Sequence, residues 1–151
     1  MYSEDPGPPP GSILLDPIGY ISDRTNHTTA GGFTKGGKRI EVTFWVAHPP
    51  RASYFSVRSR GLEISDHPAI VTTEKDLALL RVPICRPNCN FDPTDCDYFV
   101  YEAGTKPTLR LIAMPPYLSF SDCSVGLLRI RRRGMFFIAI LCWTFSPSPS
   151  G

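Results

Sequence analysis

Three cysteines in "CRPNCNFDPTDC", from Cys85 to Cys96, form the densest set of metal-ligating side chains in the sequence. A tetrahedral zinc site needs four Cys or His ligands, commonly as closely spaced pairs. Cys85 and Cys89 have such a spacing, but Cys96 stands alone, the next cysteine is Cys123, and no histidine falls between them. The expectation is thiols in a loop, with no metal. The histidines, His27, His48 and His67, are scattered. Asp23 and His27 share "SDRTNHT" and could pair as carboxylate and imidazole in acid–base chemistry. No nucleophile elbow accompanies them, and His48 and His67 each precede a proline, as turn residues do. Gly32, Gly37 and Lys38 satisfy the first part of a phosphate-loop pattern. Arg39 stands where a magnesium-ligating hydroxyl belongs, and a strand pattern follows where a helix N-terminus should meet the anion. Arg129, Arg131, Arg132 and Arg133 crowd into five residues and could contact phosphate. The rest of the chain carries no basic stripe, so a solvated turn that discourages edge-to-edge association is the expected reading. Asn26-His27-Thr28 is a formal glycosylation sequon. No catalytic constellation, cofactor site or small-molecule substrate is predicted.

The elements that would position these residues are strands. In "IEVTFWVAHPPRASYFSV", Ile40, Val42, Phe44 and Val46 alternate with Glu41, Thr43, Trp45 and Ala47, a period of two. Consecutive prolines end that run, and "SYFSVRS" resumes it, so an antiparallel pair is expected. On the face opposite the core this pairing leaves Trp45 and Tyr54, the aromatic anchors expected for a protein partner. The same grammar repeats downstream. "AIVTT" and "LALLRVPI" flank "EKD"; "DYFVYEA" and "TLRLIAM" flank "GTKP"; "VGLLRI" and "MFFIAILCW" flank "RRRG". The pattern predicts an all-β fold of antiparallel short strands and hairpins, about eight strands from Ile40 onward. They group as roughly Ile40–Ile84 and Asp97–Trp143, resembling two blades of a β-propeller, with an open β-sandwich as the alternative. Upstream, "ILLDPIGYISDR" allows only short extended pieces, and "TTAGGFTKGGKR" reads as a mobile loop or loose hairpin.

Composition agrees. Hydrophobic residues make up 42% and charged residues 20%, the balance of a globular chain. Sixteen prolines in 151 residues work against long helices, because proline removes an amide donor and clashes with the preceding turn. A net charge of +2 does not by itself point to nucleic acid. The longest apolar run, Met135 to Trp143, is far short of the ~20 residues of a membrane span and reads as a buried strand. The N-terminus lacks the basic and apolar regions of a secretory signal. The expectation is therefore an intracellular protein, cytoplasmic or nuclear, with reduced thiols and no membrane partner. Residues 1–12 and 144–151 are expected as disordered Pro/Gly/Ser-rich ends around an all-β domain, or partial domain, over 13–143.

Four segments, "LLDPIGYISDRTNHTTA", "KRIEVTFWVAHPPRASYFSV", "DYFVYEAGTKPTLRLIAMPP" and "VGLLRIRRRGMFFIAIL", occur in this order. Together they resemble the N-terminal region of a large plant family, expanded in grasses, that carries domain of unknown function 1618. The similarity runs from about Ile13 to Leu141, and "VTFW.A.PP..SYF" is among its most specific parts. The resemblance implies a protein without established activity. Some family members resemble β-propellers or accompany F-box modules, and no catalytic residue carries over. Family members continue past the "GMFFIAIL" strand, whereas this chain leaves in "CWTFSPSPSG", as a truncated product would. The reading these features favour is a non-enzymatic β scaffold for protein–protein interaction. A small enzyme using Asp23 and His27, or a weak nucleic-acid binder through Arg129–Arg133, are its alternatives.

Overall fold

Short β-branched and aromatic runs are broken by proline, glycine and charged turns, and among the described residues these runs form strands. A computed structural model describes residues 10–61, 63–64, 66–85, 96–113, 124–130 and 135–141. Among these there is no α-helix, and hence none long and apolar enough to cross a membrane. Cys89, Cys123, Arg131, Arg132, Arg133 and the expected disordered ends, except Pro10–Ser12, lie outside the described residues.

The strands are β1 (Leu14–Leu15), β2 (Tyr20–Ile21), β3 (Ala30–Phe33), β4 (Arg39–Trp45), β5 (Ala52–Arg58) and β6 (Glu63–Ile64). They continue with β7 (Ala69–Glu74), β8 (Leu77–Cys85), β9 (Cys96–Glu102), β10 (Thr108–Ile112), β11 (Val125–Arg129) and β12 (Phe136–Ile140). The four expected hairpins, β4–β5, β7–β8, β9–β10 and β11–β12, all form antiparallel pairs.

Their grouping differs from the expected two sets of four. β3, β4 and β5 make one antiparallel sheet, and β1 and β2 both run parallel along the outer edge of β5. β7, β8, β9 and β10 make a second sheet that straddles the expected boundary, and β6 pairs with the end of β8. β11 and β12 stand as a two-stranded sheet of their own. The boundary moves because β8 is nine residues long and uses both edges, pairing with β7 on one and β9 on the other.

The layers stack face to face. Ile40, Val42, Phe55 and Val57 of the first sheet meet Ala78, Leu80, Val82, Phe99, Tyr101 and Leu109 of the second in one buried cluster. The opposite face of the second sheet presents Leu77, Leu79 and Val100 to Val125 and Leu127 of the hairpin. The second sheet is therefore apolar on both sides. This is why "LALLRV" reads as a nearly continuous apolar run, while β4 and β5 alternate.

Segment 14–21 ties the two large sheets together. Pro17 cannot donate to a ladder and Asp16 Oδ1 accepts the Ile18 amide at 3.0 Å, so the chain turns between β1 and β2. At that turn Ile18 bridges Ala69, and the Gly19 amide donates to the Pro68 carbonyl at 2.6 Å. A Cβ at Gly19 would lie 3.0 Å from Pro68 Cβ and 3.2 Å from its carbonyl oxygen, so a larger residue would force Pro68 to give way slightly.

The "TTAGGFTKGGKR" stretch, expected as a mobile loop or loose hairpin, closes as the β3–β4 turn. Gly37 adopts the left-handed φ of 77°, and the Thr34 amide donates to the Lys38 carbonyl at 2.8 Å. Across the sheet interface, Asp97 Oδ2 accepts the Lys35 amide at 2.8 Å, and the Lys35 ammonium lies 3.8 Å from Oδ1. Asp97 is wholly buried. This tie spans 62 residues of sequence and pins the turn onto the start of β9.

Candidate protein-binding surface

Register decides which side chains share the outer face of the first sheet. Trp45 lies opposite Tyr54 and Thr43 opposite Ser56, on the side away from Val42, Phe44, Phe55 and Val57. The Trp45 and Tyr54 rings stack with centroids 6.3 Å apart and planes at 23°. β2 runs along β5 with Tyr20 beside Ser56, which brings a third ring to this face. Tyr20 meets Tyr54 edge-on at 5.3 Å and His67 at 6.5 Å. The Arg24 guanidinium sits 4.8 Å above the Trp45 ring, within cation–π range.

Polar bonds hold the cluster. The Trp45 indole N–H donates to Ser56 Oγ at 2.7 Å, and the Tyr20 hydroxyl donates to Asp16 Oδ2 at 2.7 Å. The bond to Asp16 and the charge of its carboxylate raise the Tyr20 phenol above its ordinary pKa near 10. Trp45 and Tyr54 were expected to be exposed; both are half-buried, because Arg24 and Tyr20 lie on them. Tyr20 keeps 42% of its surface open, so solvent meets this face at its edge.

Sequence periodicity finds Trp45 and Tyr54 but misses Tyr20, Arg24 and Asp16. A two-residue strand has no period to read, and the parallel pairing of β2 with β5 is non-local.

The loop over residues 22–29 is built from both sheets. The Phe44 amide donates to Thr28 Oγ1 at 3.0 Å, Asn26 Oδ1 accepts the Thr28 amide at 2.7 Å, and Thr29 and Thr43 hydroxyls bond at 2.8 Å. From the second sheet, the buried Tyr101 hydroxyl donates to the Thr28 carbonyl at 2.6 Å. Burial pushes the Tyr101 phenol above its usual value near 10. A phenol whose folded pKa is raised stabilises the fold in full below the unfolded pKa of about 10, and loses that contribution as pH climbs above it. Thermal unfolding of the wild type should therefore weaken faster between roughly pH 10 and pH 11.5 than that of Tyr101→Phe. Parallel curves for the two proteins would contradict the assignment.

The remaining candidates fall elsewhere. Asp23 and His27 are both exposed, and no hydrogen bond or ion pair joins them among the described residues. Arg129 Nη1 bonds Asp76 at 2.8 Å and Nη2 bonds Glu102 at 3.1 Å, so two carboxylates already neutralise this guanidinium. Cys96 is buried at the start of β9. Among the described residues no group of three or more His, Cys, Asp or Glu side chains could hold a metal ion. Every buried side-chain nitrogen and oxygen among them has a hydrogen-bond partner.

No family model, curated protein or solved structure matches this chain.

Proposed function

We propose that this chain is a non-enzymatic β scaffold that binds another protein, and that it belongs with the plant family it resembles. One observation carries the reading: Tyr20, Tyr54 and Trp45, with Arg24, gather on a sheet face that the core does not use. Tyr, Trp and Arg are the side chains that dominate interface energies. Rings already stacked and hydrogen-bonded lose little rotamer freedom when a partner covers them. In this reading the β7–β10 meander is a blade-like layer whose task is to hold the first sheet rigid from behind.

Capture from a plant extract on the immobilised chain should recover a discrete protein partner. Trp45→Ala should weaken that capture by about 30-fold, the size of a hot-spot loss near 2 kcal/mol. Arg24→Ala, at an exposed position outside the strands, should weaken it less and leave the fold intact. Recovery of chaperones alone, or equal capture by Trp45→Ala, would count against the proposal.

A further inference from the structure

The β11–β12 hairpin is attached differently from every other long strand. Its ladder is internal: Val125 to Arg129 pair with Ile140 to Phe136, and backbone bonds also join Ile130 to Met135 and Leu141 to Ser124. Among the described residues it shares no ladder with either large sheet. A two-stranded hairpin is marginal in water by itself, so side-chain attachments must keep it in place. Three are visible. Val125, Leu127, Phe136, Ile138 and Ile140 pack on Leu77, Leu79 and Val100. Arg110 lies 5.9 Å from the Phe136 ring. Arg129 forks between Asp76, in the β7–β8 turn, and Glu102, at the end of β9.

The seam is shallower than the one between the two large sheets. There Ile40, Val42, Val57, Leu80, Val82 and Phe99 are all at 0% exposure. At the hairpin, Val125 and Leu127 keep 7%, and Phe136, Ile138 and Ile140 are only half-buried. The Arg129 fork is itself partly wet, with side-chain exposures of 25% for the arginine, 38% for Asp76 and 23% for Glu102. Such pairs weaken with salt.

We propose that β11–β12 is a detachable cover, latched by Arg129 to Asp76 and Glu102, over the second apolar face of the central sheet. It opens as one unit while the two large sheets stay closed. Opening uncovers Val71, Leu77, Leu79, Tyr98, Val100 and Ile112, at the end of the stack opposite Tyr20, Trp45 and Tyr54. This inference does not depend on the protein-binding reading of that other face.

Native-state amide hydrogen exchange on the full chain tests it, because sub-global openings show as groups of amides that exchange together. The β11 and β12 amides should exchange as a group, ahead of those of β4, β5, β8 and β9. Raising salt from roughly 50 mM to about 0.5 M should accelerate only that group. Arg129→Met should accelerate it by about three- to tenfold and make it insensitive to salt. Should Arg129→Met fail to fold, Asp76→Asn cuts one arm of the fork, and the wild-type salt series needs no variant. Exchange of β11–β12 together with β8–β9, or rates untouched by salt and by the latch substitutions, would overturn the proposal.

Discussion

Phe99→Ala should lower the stability of this chain by about 3–5 kcal/mol, the cost of emptying a buried aromatic site. Phe99 is at 0% exposure in β9, between Leu80 of β8 and Leu111 of β10, and faces the cluster that joins the two large sheets. Phe55 and Tyr101, edge-on at 5.2 Å within that cluster, would lose packing on one side. The expected observation in urea is a lower midpoint with an unchanged slope, since the cavity alters stability and not the area exposed on unfolding. Phe99→Leu, which refills most of the volume, should recover more than half of the loss. A change below about 1 kcal/mol for Phe99→Ala would mean that the sheets do not meet at Phe99.

Asp97→Ala should rank second, at about 2–3 kcal/mol. The carboxylate is wholly buried and accepts the Lys35 amide at 2.8 Å, so its removal strands a backbone donor. Lys35→Met should cost much less, below about 1 kcal/mol, because the Lys35 side chain is 38% exposed and its ammonium lies 3.8 Å from the carboxylate. Of these two interactions with Lys35, the backbone N–H bond is the stronger and the charge pair the weaker. Urea titrations of both variants read the order directly, and equal losses would refute it. Exchange of the Lys35 amide should quicken in Asp97→Ala and hardly at all in Lys35→Met.

These two sites also mark what could and could not be read in the sequence. Phe99 sits in "DYFVYEA", whose β-branched and aromatic run, closed by "GTKP", announces a hairpin without any knowledge of its neighbours. The turns "EKD" and "HPP" are legible for the same reason: their signals are local. Trp45 and Tyr54 share a face by period alone, and the proline turn between them sets their register. Asp97 is different. A lone aspartate at the start of a strand carries no mark of a lysine amide 62 residues earlier. The parallel pairing of β1 and β2 with β5 rests on two residues each, too few for a period, so Tyr20 and Arg24 could not be placed beside Trp45. The grouping of hairpins into layers is not legible, because β8 pairs on both edges and a hairpin pattern describes only one.

The double-sided burial of β8 and β9 bears on how this sequence can change over generations. A strand with one wet face can exchange half of its residues freely, and β4 has such outward positions at Arg39 and Glu41. From Leu77 to Leu80 every side chain is buried, alternately under one neighbouring layer and the other. No position there is neutral, and a change on one side must be matched by a change in a layer that the other side never touches. The central sheet is where drift must be slowest, while outward positions of the first sheet such as Arg39 and Glu41 change at less cost.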